Sequence, residues 1–222
     1  MPENQKEDVE DFKKYFADLK KEAEVREEQC KERSMKVRKL RIPQELQLLL
    51  KQRIIKHLET YPGHYRDSVK DARNFAVEWK EEKMKEEEIS KSEQGCFLYA
   101  MNEDGQIWHE KITIVLDSLM NEIARRDAIN FLAHITPKKQ KESARIIISK
   151  WGSSSNKEKL GLLLWGPSIR NSLRMAGFPW NSQILEGAWL DLLSEAVNLP
   201  EEKIVISSSI EEAIKRFGRE LH

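Results

Sequence analysis

The chain has few residues suited to covalent or metal chemistry. Two cysteines, Cys30 and Cys96, in 222 residues make no disulfide framework, and no CxxC pair is present. The five histidines fall into none of HxH, HxxxH or HExxH, and metal sites need three or four converging ligands. GxSxG, GxxxxGK[ST] and GxGxxG are all missing, so neither a nucleophile elbow nor a phosphate-cradling loop is visible. No apolar run approaches the ~18 residues needed to cross a bilayer. The first eight residues are polar and acidic, so no signal or transit peptide is expected. Together with the sparse cysteine, this gives a cytoplasmic expectation, with no membrane and no cofactor.

Net charge is also missing, but only in the total. Residues 33–56 carry eight Lys or Arg against Glu45, and residues 137–174 carry nine against Glu142 and Glu158, so each block stands at +7. Residues 1–32 hold 7 bases against 11 acids, and residues 175–214 hold one against seven. Such alternation fits oppositely charged surfaces that face each other, inside the fold or across a dimer. It also fits a basic strip for phosphates.

What is present is helical pattern. A charged fraction of 34% beside 39% apolar residues is the composition of a solvated, helix-rich protein. Val9, Phe12, Phe16, Leu19, Ala23, Arg26, Cys30, Arg33, Val37 and Leu40 recur at 3,4 spacing without a slip, a heptad seam with Arg26 and Arg33 in its wet middle that can zip at its ends against a partner helix or lie against the rest of the same chain. Ile42-Pro43 ends that helix. Leu46, Leu49, Leu50, Ile54 and Leu58 mark a second one over 44–60, and Tyr61-Pro62-Gly63-His64-Tyr65 reads as a turn. A third helix over 67–88 buries Val69, Ala72, Phe75, Ala76 and Trp79, and 86–95 reads as a linker.

Cys96 to Ala100 and Gln106 to His109 flank Asp104-Gly105, which predicts one small β-hairpin, with a loop leading straight into the next helix as the rival reading. Residues 110–135 predict a helix or a broken pair kinked at Arg125-Arg126-Asp127, after which Thr136 as cap and Pro137 at the first helical position are expected to start the next helix. Ser155 and Glu158 form a capping box, Gly166-Pro167 must kink or divide the following helix, and Ala176-Gly177 closes its second piece. Ser182 is expected to cap a helix over 183–197 that buries Ile184. Ser209 and Glu212 are expected to box a last one over 210–221. The fold class is mainly α and multi-helix: a long charged N-terminal helix plus a compact C-terminal helical module, with at most the one hairpin. The divisions are 1–41, a charged arm; 42–90, a small helical section; and 95–222, a Trp-rich module.

The densest chemistry lies in 160–200, which holds four glycines, three prolines and three of the six tryptophans. Within it Arg170 and Arg174 share a face one turn apart, with Asn171 beside them and Trp165 and Trp180 near in sequence. Stacked guanidiniums can hold a phosphate or carboxylate, or a partner's acid. They can equally pair with Glu186, Asp191 or Glu195 of the next helix. His109, Glu110 and Asp104 make a sparser acid–base cluster.

The leading expectation is a non-enzymatic helical interaction or scaffold protein. Its partner, a protein or a second copy of itself, would use the 9–40 seam, with Arg170, Asn171, Arg174, Trp165 and Trp180 as an anion or partner site. The alternative is a nucleic-acid-associated accessory protein using basic blocks 33–56 and 137–174, with Lys138, Lys139, Lys141 and Arg145 in contact with phosphate.

Overall fold

A computed structural model describes residues 4–88, 103–151 and 153–220. They form α1 (Asn4–Lys39), α2 (Gln44–Thr60), α3 (Tyr65–Glu88), α4 (Glu103–Ile135), α5 (Lys138–Ser149), α6 (Asn156–Leu163), α7 (Gly166–Met175), α8 (Ser182–Asn198), a 3-10 turn (Glu201–Lys203) and α9 (Ser208–Glu220). The fold is mainly α, with no strand among the described residues. Contacts group Met1–Pro43 with Met84–Thr113 in a first unit, and Gln44–Lys83 with Ile114–His222 in a second.

The predicted hairpin is not found. Its first strand, 96–100, lies outside the described residues, as does Cys96, but Gln106 to His109 belongs to α4. Ile107, Trp108 and Ile112 are all buried there. Spacings of one, four and five residues put them on one side of a helix, whereas a strand would send Ile107 and Trp108 to opposite faces. Burial on a helical stripe outweighs the local turn signal of Asp104-Gly105. In the same unit Val37 and Ile42 are buried, Arg33 pairs with Glu110, and Lys111 Nζ donates to the Arg38 carbonyl at 3.5 Å.

The second unit is built on sequence-local rules. The apolar stripe of α2 (Leu46, Leu50, Ile54, Leu58) is buried throughout. α4 continues without a break through Arg125-Arg126-Asp127, because Asp127 turns inward to a partner while Arg126 stays exposed. The Ser155–Glu158 box is complete: the Ser155 hydroxyl accepts from Glu158 N at 3.3 Å, and Glu158 accepts from Ser155 N at 2.8 Å. Pro167 sits in the first turn of α7, where its missing N–H costs nothing, so Gly166-Pro167 starts a helix instead of kinking one.

Three starts differ from expectation. Pro137 precedes α5 with no side-chain cap at its own position. Asn181, one residue before Ser182, caps α8 by accepting from Ile184 N at 2.9 Å, and Ile184 is exposed. α9 begins at Ser208, and the Ser207 hydroxyl accepts from Ile210 N at 3.4 Å. Ser209 is thereby buried inside the first turn instead of acting as its cap.

α8 packs against α5 and α7, and α9 packs against α7 and α2. At the core, the Phe131 ring meets Phe178 at 5.6 Å and Phe217 at 5.8 Å, and Tyr65 stacks on Phe178 at 5.9 Å. Offset and edge contacts of this kind add to the area these rings bury.

Candidate functional site

The seam of α1 is described from Leu19 onward. Leu19 is 42% exposed, Ala23, Arg26 and Cys30 are exposed, Arg33 and Leu40 are half-buried, and only Val37 is buried. The polar surface of the arm is laced by pairs one turn apart, Glu22–Arg26, Glu27–Lys31 and Glu32–Lys36. Exposed pairs of this type add little to stability individually. Leu19, Ala23 and Cys30 therefore form an open apolar edge on a helix whose other exposed positions are mostly charged, with Tyr15, Val25 and Met35 as exposed apolar exceptions off the seam. Val9, Phe12 and Phe16 carry the same seam toward the N-terminus, where side chains lie outside the described residues.

The residues singled out in the aromatic block have separate engagements. Arg170 Nη1 lies 3.1 Å from Glu186 Oε2, which ties α7 to α8. Asn171 and Arg174 are exposed. Trp165 is half-buried at the start of α7, and its carbonyl accepts from Ile169 N at 2.9 Å. Trp180 stacks on Phe178 (6.0 Å, 11°) and donates Nε1–H to Asn121 at 3.0 Å, so its hydrogen-bond partner comes from α4. Nearby, Leu160, Leu163 and Leu164 are exposed, Leu164 at 70%.

Of the basic residues, Lys138 and Lys139 are exposed and Lys141 is half-buried, and none forms an ion pair among the described residues. Arg145 has a different role, with Nε and Nη2 both donating to the Val197 carbonyl in the last turn of α8. A cation on those carbonyls meets the negative end of the helix dipole. In the first unit His109 stands edge-on to Trp108, and Glu110 is taken by Arg33. No group of three or more potential ligands converges on a metal position among the described residues.

One polar cluster had no sequence signal. Asp127 is 2% exposed and accepts from the Tyr65 hydroxyl at 3.1 Å, with Arg126 Nη2 at 3.4 Å from its other oxygen. Burial pushes the Asp127 carboxyl up from the ordinary range, while Arg126 and the Tyr65 hydrogen bond act the other way. Tyr65 is raised too, first by burial and then by the carboxylate beside it. Ser209 Oγ accepts from Gly63 N at 3.4 Å. Below, Asn130 donates to the Arg126 carbonyl at 2.9 Å and accepts from Val205 N at 2.7 Å, pinning the segment before α9.

A cavity of about 170 Å³ adjoins the cluster, lined by Glu59, Arg126, Asp127 and Ser207 to Ser209 among others. No histidine lines it, and the Asp127 carboxyl is turned to Tyr65 and Arg126. The cluster therefore ties α3 to α4; a nucleophile with its base is not assembled there.

Among the described residues no helix is long and apolar enough to cross a membrane. No family model, curated protein or solved structure matches the chain.

Proposed function

We propose that this chain is a helical interaction protein without a catalytic role, and that the α1 seam joins two copies of it. The observation that carries the reading is the exposure of Leu19, Ala23 and Cys30 at seam positions. An apolar edge repeated every 3.5 residues is the signature of a helix that buries that edge on another helix.

The antiparallel arrangement is the favoured one. In a parallel, in-register pair Arg26 would face Arg26 inside the seam, a like-charge contact that costs stability. Reversing one copy places Leu19 opposite Ala23 and removes each Arg26 from its counterpart. This register uses only the part of the seam ahead of Arg33, which is already paired with Glu110.

Light scattering after size exclusion tests the reading. The expected mass is twice the 26.1 kDa of one chain. Leu19→Asp combined with Ala23→Asp should return it to one. A wild-type chain that stays monomeric at about 100 μM removes the proposal, and ready Cys30–Cys30 oxidation would establish the parallel arrangement instead.

A second reading, nucleic-acid association, is favoured by one observation: the cluster Lys138, Lys139 and Lys141 is left without ion pairs among the described residues. Its test is oligonucleotide anisotropy at about 50 and 200 mM salt, where several phosphate contacts give a loss of orders of magnitude. Charge reversal at all three lysines should flatten that dependence.

A further inference from the structure

Two tight turns of the second unit meet at one guanidinium. Tyr61-Pro62-Gly63-His64 is a turn closed by His64 N donating to the Tyr61 carbonyl, and Gly63, directly after the proline, sits at φ +79°. Gly177, at φ +88°, ends α7: Gly177 N donates to the Arg174 carbonyl and Phe178 N to that of Leu173. A Cβ on Gly177 would lie 2.7 Å from Nη1 of Arg216, and one on Gly63 would lie 3.4 Å from Nη2. The two glycines thus make a slot for the end of the arginine side chain. Arg216 uses Nε on Glu212, one turn earlier in α9, at 3.1 Å. Its Nη1 and Nη2 groups have no acceptor among the described residues.

This guanidinium lines a cavity of about 340 Å³, together with Arg66, His64, Asp67, Pro179 and Trp180. Asp67 is the one acid in that lining among the described residues, and its carboxylate is already taken by Lys70 at 3.0 Å and by His64 Nδ1 at 3.3 Å. Arg66 is exposed and has no ion pair among the described residues. Two guanidiniums therefore border one cavity, Arg66 without an ion pair among the described residues and Arg216 with Nη1 and Nη2 left over from its ion pair with Glu212. The opposite character comes from Trp180, whose ring is stacked on Phe178. The volume falls at the small end of the range of about 300–1,000 Å³ typical of small-molecule sites, and exceeds what a bare oxyanion fills.

We propose that this cavity binds a small phosphate monoester carried on a ring, with Arg216 and Arg66 on the phosphate and the ring beside Trp180. A guanidinium fork matches two phosphate oxygens at once, and two such forks suit a dianion better than a single carboxylate. The site is distinct from the α1 seam, so it stands or falls independently of the self-association reading.

Titration calorimetry on the full chain at low salt, with phenyl phosphate as probe, tests it. Saturable binding at least about tenfold tighter than that of benzoate or of inorganic phosphate is expected, and Arg216→Gln and Arg66→Gln should each weaken it about tenfold or more. Arg66 is exposed, so Arg66→Gln keeps the test valid if Arg216→Gln disturbs the turns; a melting curve for each variant shows which case applies. No saturable heat up to several millimolar overturns the proposal. So does phenyl phosphate binding that is unchanged in a folded Arg66→Gln variant, or benzoate binding of equal strength.

Discussion

Replacing Gly177 with alanine incurs a backbone cost and a steric one together. The left-handed backbone at φ +88° costs an L-residue about 1–2 kcal/mol. The new Cβ would also fall 2.7 Å from Arg216 Nη1, so the guanidinium must leave its slot. Its pairing with Glu212 is partly solvent-exposed, and losing it adds no more than about 1 kcal/mol. The expected sum is about 1–3 kcal/mol of destabilisation.

Gly187 is the internal control. It lies inside α8, and a Cβ added there would meet no atom within 4 Å. Gly187→Ala should therefore stabilise by about 0.5–1 kcal/mol through helix propensity alone. Urea denaturation followed by tryptophan fluorescence is the assay, because five of the six tryptophans belong to the second unit. With a slope of about 1–3 kcal/mol per molar urea, the two variants should move the midpoint in opposite directions, Gly177→Ala by roughly 1 M. A Gly177→Ala protein as stable as the parent would refute the slot argument. Loss of equal size at Gly187 would show that neither φ nor Arg216 sets the cost.

Two further outcomes follow from the core. Because Asp127 is held above its ordinary value by burial, the folded chain keeps that proton while the unfolded chain releases it near pH 4. Stability should therefore fall as pH rises from about 4 through the raised value, and Asp127→Asn should gain on the parent across that window; thermal melts of both proteins in which their difference stays constant with pH would contradict the assignment. Asp71 has the opposite sign, lowered by its hydrogen bond to Arg53, but it is common to both proteins and cancels in the comparison. Phe131→Ala empties the contact among Phe178, Phe217 and the surrounding core and should cost about 3–5 kcal/mol in the same urea assay, and a cost below about 1 kcal/mol would mean the site collapses freely.

The helical class, the breaks at Pro43 and Pro167, the Ser155–Glu158 box and the glycine end at Gly177 can all be read from the residues in order. Each of these depends on groups within about four residues of one another, where periodicity and cap chemistry act without help from the rest of the chain. That Leu19, Ala23 and Cys30 share a face was legible for the same reason, since a heptad spacing fixes which side chains lie together; that this face is open is decided by what packs against it. Other features answer to packing between distant segments. Gln106 to His109 reads locally as half of a hairpin and becomes helix because Ile107, Trp108 and Ile112 are buried on a helical stripe. Arg125-Arg126-Asp127 looks like a kink until Tyr65, brought in on α3, gives Asp127 a partner. Ser209 passes for a cap until the helix starts two residues earlier than expected, at Ser208 instead of Ile210, and takes it inside. Gly63, Gly177 and Arg216 are remote in sequence, and each looks ordinary alone. They become one site only because α9 packs against both α2 and α7, a contact that no local pattern encodes.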